Sequence, residues 1–331
     1  MRRRDLLMLL AAPVLWPLKP AAQHASPIRR VAWFGLGQPD IASPYVDALR
    51  AGLREHGWIE GQNLLLDLHW ASGRDDMEAA ARKILASNPD VVVTQELMTM
   101  AMKAVQADKP VVFGFSGDPV DVKLVESWAR PGGNFTGLSY LALQLVGKRV
   151  EVLKECVPQL ERIAVLARPQ HPGEHLERQA TEAVVRRLGM ELVYFPYLGS
   201  SLPVRDFAEL DYTLGSIAQA RCDGLLVFPD SAMFEVNDRV ARFAVEARLP
   251  SVSGWSPFAR NGLLLSYGPD VRELYRTLGG YVDRILHGTP AASLPVQVPS
   301  KVELVVNIRT AKALGLTIPP ALLARADEVI E

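Results

Sequence analysis

Cysteine is nearly missing from this chain. Cys156 and Cys222 are the only two in 331 residues, with no CxxC spacing and no zinc-type cluster. A cysteine redox motif and a structural zinc site are thereby excluded, and two buried thiols are expected, although an oxidising compartment would allow them to pair. Long basic runs and basic stretches interleaved with aromatics are also missing, which excludes nucleic acid as a partner. Beyond the N-terminus no apolar stretch reaches membrane-spanning length. No short-period repeat is present, so a solenoid is excluded.

Catalytic patterns fail in the same way. Gly35-Leu36-Gly37 follows a strand, but position 40 is Asp40 and the next helix is expected only at Ser43, so no dinucleotide-binding loop forms. The bland reading is a turn at a cleft edge, with Leu36 and Gly37 as candidate ligand contacts. Gly114-Phe115-Ser116-Gly117 lacks the glycines two residues either side of the serine that a nucleophile elbow needs. No histidine is evidently placed to serve Ser116. His171 and His175 stand four apart around Glu174, but Pro172-Gly173 breaks the helix that would align them on a metal, leaving a solvated helix start. No enzyme, cofactor or metal is expected.

What is present begins with an export pattern. Arg2-Arg3-Arg4 precedes an eleven-residue apolar run from Leu6 to Trp16, and Arg3-Arg4-Asp5-Leu6-Leu7 fits a loose twin-arginine form. Residues 1–25 are read as a signal peptide, with the mature start between Gln23 and Pro27. Its removal takes Arg2, Arg3, Arg4, Lys19 and Asp5, moving the formal charge from −1 to −4. The remainder is long enough for two domains.

From Arg29 to Gly288 strand and helix patterns alternate. Val91–Val93 and Val111–Phe115 are β-branched runs suited to a sheet buried on both faces. Ser43 is read as an N-cap with Pro44 at the first helical position and Gly57 as the stop. The rhythm restarts at Ile163, with strands at Ile163–Ala167, Leu192–Phe195, Gly224–Phe228 and Ser251–Ser253. Crossover geometry makes such units parallel and right-handed. The expected fold is therefore α/β, with two doubly wound parallel-sheet lobes joined by a three-segment hinge. Lobe 1 is placed at 27–140 plus 268–298 and lobe 2 at 141–267 plus 299–331. Leu294–Asn307 is read as extended, and Thr310–Glu331 as a short helical tail.

Ligands in open parallel sheets sit outside the carboxyl ends of the strands. The turns there carry Ser116, Gly117 and Asp118, then Pro229 and Asp230, then Trp255, then Tyr267. Asp118 and Asp230 are suited either to a ligand's ammonium or hydroxyl group or to capping the next helix, with Pro229 favouring ligand contact for Asp230. Trp255, Phe258 and Tyr267 crowd one rim, and Trp255, in a turn, is the better aromatic contact.

Long ordered motifs then point to a family. They include Arg54-Glu55-His56-Gly57-Trp58-Ile59-Glu60-Gly61-Gln62-Asn63, Gly117-Asp118-Pro119-Val120 and Ala129-Arg130-Pro131-Gly132-Gly133-Asn134-Phe135-Thr136-Gly137-Leu138. Gly147-Lys148-Arg149, Ser266-Tyr267-Gly268-Pro269-Asp270 and Thr310–Pro320 continue the match. Across essentially its whole length the chain resembles the periplasmic solute-binding proteins of ABC importers, in the tryptophan/tyrosine-type group. The resemblance implies a type I periplasmic binding fold, a periplasmic location, an amino acid or aromatic small-molecule ligand, an inner-membrane ABC permease as partner, and usually a monomer. A periplasmic sensor subunit serving a membrane signalling partner is the alternative. Two departures stand out. Gln95, Glu96 and Leu97 replace the small turn whose amides, in the family, receive a ligand carboxylate. Glu96 puts a negative charge there, which favours a ligand with a cationic or hydroxyl group. Arg168 stands where relatives often carry asparagine, and is expected to supply a carboxylate partner.

Overall fold

Runs such as Val91–Gln95 and Val111–Phe115 are buried along their whole length, the pattern of strands covered on both faces. The computed structural model describes residues 27–331 except 38 and 200–206. The signal-peptide reading of residues 1–25 lies outside the described residues.

The first sheet holds β1 (Arg29–Leu36), β2 (Leu64–Ala71), β3 (Val91–Gln95), β4 (Val111–Phe115) and β5 (Phe135–Ser139), all parallel, in the order β2-β1-β3-β4-β5. Its connecting helices are α1 (Pro39–Glu55), α2 (Met77–Ala86) and α3 (Glu96–Ala104). Alternate residues of β1 divide between two cores: Val31 and Trp33 join the α1 side, while Ala32 and Phe34 join the α2 and α3 side.

After β5 the chain leaves this sheet through α4 (Ala142–Cys156). The second sheet then forms from β6 (Arg162–Ala167), β7 (Glu191–Pro196), β8 (Gly224–Val227), β9 (Ser251–Ser253) and β10 (Leu265–Pro269), with α5 (Glu174–Arg187), α6 (Ala208–Gln219), α7 (Asn237–Glu246) and α8 (Ser256–Arg260) between them. From β10 the chain returns as α9 (Val271–Leu286) to pack on α1 over the first sheet. A Cβ on Gly279 would lie 2.5 Å from the Gly52 carbonyl carbon, so the two helices approach closely only because both residues are glycine. A third crossing leads to β11 (Val302–Asn307), α10 (Ile308–Leu314), α11 (Pro320–Leu323) and β12 (Glu328–Ile330). The order is β12-β11-β10-β9-β8-β6-β7.

Two local expectations are corrected, and the direction of one strand is a new finding. Helix α1 starts at Pro39, not Ser43: Pro39 takes the first helical position and Pro44 lies inside the helix. Strand β11 runs antiparallel to β10, because it enters from the other lobe and meets the sheet from its carboxyl edge. The C-terminal tail is not simply helical. Gly315, at φ 71°, ends α10, and the chain comes back to pair β12 with β11 in parallel.

Cys156 and Cys222 are unbonded and pack in separate core clusters, Cys156 buried and Cys222 only partly so. Among the described residues no helix is long and apolar enough to cross a membrane.

Candidate functional site

The carboxyl edges of the two sheets face each other and touch. Ser116, just past β4, is hydrogen-bonded through its hydroxyl to the His171 Nε2 beyond β6. Beside this bond Gly117 and Gly173 meet backbone to backbone: a Cβ on Gly173 would stand 2.8 Å from the Gly117 Cα. The Glu235 carboxylate lies against Gly37, where a Cβ would come within 2.2 Å of Oε1. At the rim His175 Nε2 stands 3.8 Å from Asp121. Replacing Gly173 with valine is expected to hold the lobes apart, at about 1–3 kcal/mol of overpacking, or about 5- to 150-fold in the closed population. Small-angle scattering checks this; a profile as compact as that of the unmodified chain would count against it.

Behind the contact lies a buried charge network. Glu96 opens α3 at a left-handed φ of 44°, a conformation costing about 1–3 kcal/mol for such a residue. It is held there by the Ser116 N–H, donating to Oε1 at 3.1 Å, and the Ser116 hydroxyl, donating to Oε2 at 2.8 Å. The His171 Nδ1 accepts from the Gly173 N–H at 3.4 Å, so Nε2 carries the ring proton and donates to Ser116. The relay runs from His171 through Ser116 to Glu96, opposite to what a nucleophilic serine needs, since the imidazole is not free to take the hydroxyl proton.

On the far side of the imidazole, Glu177 stands 3.9 Å from Nδ1 and 3.6 Å from the Arg149 guanidinium. Arg149 donates to the carbonyls of Tyr267 at 2.9 Å and Ala142 at 3.1 Å. Arg168 and Asp230 form a second buried pair at 3.5 Å. Burial pushes the Glu177 carboxyl up to about 8, partly opposed by Arg149, and pushes Glu96 well above the ordinary carboxylate range despite the Ser116 hydrogen bonds. Burial also lowers His171, against the pull of Asp230, and lowers Arg149 to about 10, against Glu177.

An aromatic group adjoins this network. The Tyr275 hydroxyl donates to Gln95 Oε1 at 2.8 Å and meets the Tyr140 hydroxyl at 2.8 Å. Trp33 packs on Tyr275 at 5.2 Å between ring centroids, and Tyr140 meets Trp255 edge-on at 5.7 Å. One apolar cluster thus runs from α1 and α9 through these rings to α7 and α8. The Trp33 Nε1 is buried with no hydrogen-bond partner among the described residues.

Of the residues singled out by sequence, Gly37, Gln95, Glu96, Ser116, Gly117, Arg168, Asp230 and Trp255 lie at these facing edges. Pro229 packs against Gly254, beside the Arg149 guanidinium. Leu36 and Leu97 pack instead on the core beneath α2 and α3. Asp118 takes the capping role, its Oδ1 accepting from Val120 N at 2.8 Å and Asp121 N at 3.4 Å. Tyr267 packs on the opposite core of the second sheet, and only its carbonyl enters the network. Arg168 is engaged with Asp230.

One expectation is overturned. His171 is not solvated: Pro172-Gly173 turns the chain so that the imidazole swings under the cleft, where it donates to Ser116 without acting as its base. Tyr140, Tyr275, Trp33, Arg149 and Glu177 went unread as site residues. Arg149 and Glu177 look like ordinary solvated helix residues in sequence, and only the apolar Val146, Val150 and Leu153 around Arg149 hint at burial. Among the described residues no group of three His, Cys, Asp or Glu side chains is arranged to hold a metal ion.

Two α/β lobes meeting at their strand ends define a type I periplasmic binding fold. The chain belongs to the ABC transporter substrate binding protein family, whose model matches residues 40–330. A tyrosine-binding protein of Clostridioides difficile is 24% identical over 286 residues, covering 83% of this chain and 79% of that protein. A conserved domain protein of Vibrio cholerae superposes with a TM-score of 0.83 at 29% identity, over 91% of this chain and 99% of that one. An ABC domain from Streptococcus pneumonia, solved with L-Trp, superposes with a TM-score of 0.81 at 21% identity, over 91% and 99% of the two chains.

Proposed function

We propose that this protein is an extracytoplasmic receptor that captures a small ligand between its lobes and delivers it to an ABC permease. The observation that carries the reading is the closed edge-to-edge contact, in which His171 of one lobe completes the Ser116–Glu96 pair of the other beside an aromatic wall. A ligand held there tips the open and closed states by its differential affinity for them. Residues 27–140 with 268–298, and 141–267 with 299–331, act as the two rigid bodies.

The ligand is proposed to be an aromatic small molecule, which the Trp33, Tyr140, Trp255 and Tyr275 rings favour and which matches what two of the similar proteins bind. Glu96 already takes the Ser116 N–H and hydroxyl, so this donor pair is closed to a ligand carboxylate. A hydroxyl group on the ligand fits Glu96 better, since a protonated carboxyl both donates and accepts, and a hydroxyl or cationic group fits Asp230. Native mass spectrometry of the mature protein, purified without refolding and compared with a denatured control, is expected to release one small aromatic molecule. An empty protein that also shows no thermal shift with tyrosine, tryptophan or aromatic amines would sink the proposal.

A further inference from the structure

A hollow of about 240 Å³ lies away from the residues that join the lobes in the cleft. Its walls come from all three chain crossings: Leu138 at the end of β5, Asp270 between β10 and α9, and Gln297–Lys301 before β11. The third crossing is tied to the first, with the Ser139 N–H donating to the Gln297 carbonyl at 2.9 Å. Leu138 and Leu274 give a buried apolar floor, and Val298 stands at the lip with 51% of its surface exposed.

The charges in this hollow select a sign. Asp270, Glu273 and Glu303 line it, and the lone lining base, Lys301, is drawn to Asp327 at 2.8 Å. The α9 N-terminus, which would attract an anion, is already filled by Asp270 Oδ1, which accepts from Arg272 N at 2.9 Å. One Glu303 carboxylate oxygen is buried with no hydrogen-bond partner among the described residues. Burial raises the Glu303 carboxyl and the Asp270 charge adds to the shift, against a Ser256 side-chain hydrogen bond and the Arg260 and Lys301 charges. Glu273 also pairs with Arg276 at 3.4 Å on its solvent side, which leaves Glu303 and Asp270 facing the hollow; an apolar floor beneath these acids suits a compact cation with a hydrophobic body.

We propose that this hollow is a second small-molecule site, taking a compact organic cation, and that its occupancy biases the opening of the lobes. Rotation about the crossings moves Leu138, Asp270 and Lys301 relative to one another and reshapes the site. Ligands in the hollow and in the cleft therefore change each other's affinity by the same factor.

The test is titration of the full chain with benzylamine, with benzyl alcohol as its uncharged counterpart, followed by methyl NMR of Leu138, Leu274 and Val298. Saturable shifts with benzylamine, at least about tenfold weaker with the alcohol and about tenfold weaker in Glu303→Gln, are expected. Thr277→Trp, at an exposed lining position, should abolish them. Shifts that survive Thr277→Trp, match those of the alcohol, or are absent would overturn the site. The bias on opening rests on the cleft reading above, and unchanged small-angle scattering at benzylamine saturation would overturn that part alone. A cleft that binds nothing would leave the NMR result standing, so the two readings fail separately.

Discussion

Replacing Arg149 with methionine is expected to cost about 3–5 kcal/mol of folding stability, because two buried carbonyls and a buried carboxyl lose their donor at about 1–3 kcal/mol each. Arg149 is fully buried, and so is Glu177, 3.6 Å from it. Methionine would fill much of the space but leave the Glu177 carboxyl and the Tyr267 and Ala142 carbonyls without their donor. The same reasoning predicts partial recovery: Arg149→Met combined with Glu177→Leu should regain the share due to the stranded carboxyl, since an apolar pair of similar volume does not carry its desolvation cost, while the two carbonyls stay unsatisfied. Urea unfolding of the single and double variants measures both. A single variant within 1 kcal/mol of the parent would mean the pair contributes little.

Folding stability is expected to fall as pH rises from about 5 to 8. Glu177, raised from 4.5 to about 8, and Glu96, raised in the same direction, stay protonated in the folded chain where the unfolded chain has ionised. Their contribution is complete below the ordinary carboxylate value and is lost as pH climbs through the raised values, at up to about 1.4 kcal/mol per pH unit for each. His171 has the opposite sign: its imidazole is lowered from 6.5, so below that value the folded chain holds fewer protons than the unfolded one. One imidazole offsets one of two carboxyls, which makes the slope shallow below pH 6.5 and steeper above it.

The remaining groups around the cluster are Arg149, Arg168, Asp230 and Glu174; Arg149, lowered to about 10, stays charged through this range. An acid limit comes from the opposite edge of the second sheet. Asp327, lowered by Lys301, and Glu328, lowered by Arg260, lose their contribution as pH drops through their depressed values. Urea titrations at pH 5, 6.5 and 8 test the trend, and Glu96→Gln should remove one of the two descending contributions. Stability that rises steadily from pH 5 to 8 would refute the assignment.

Most of the fold was legible because its code is local. Runs of buried β-branched residues at Val91 and Val111, and helical spacing between them, need no distant contact to be read. The reading faltered where a nearer choice competed. Ser43-Pro44 is a good helix start, but Pro39 is an equally good one and comes first. Thr310–Glu331 has helical spacing at its beginning, yet Gly315 halts it and the free edge of β11 recruits Glu328–Ile330 as a strand.

The site was legible by position and not by partner. Ser116, Glu96, Arg168, Asp230 and Trp255 could be placed at strand ends, where an α/β sheet presents its turns. Their pairings join residues as far apart as Ser116 and His171, or Gln95 and Tyr275, in different lobes or different crossings. Nothing in the local spacing of Pro169-Gln170-His171-Pro172 distinguishes a solvated imidazole from one turned beneath a cleft.

The sequence by itself determined two α/β units, their strand ends and the residue types available there, because alternation, chain turns and glycine placement act over a few residues. Only the tertiary structure decided that His171 completes the Ser116–Glu96 pair, that Arg149 and Glu177 are buried against each other, and that Asp118 caps a turn. The first depends on how the two lobes meet, the second on how α4 packs on α5 within one lobe, and the third on the local backbone past β4; the burial that sets each charge's cost exists only once these elements have packed.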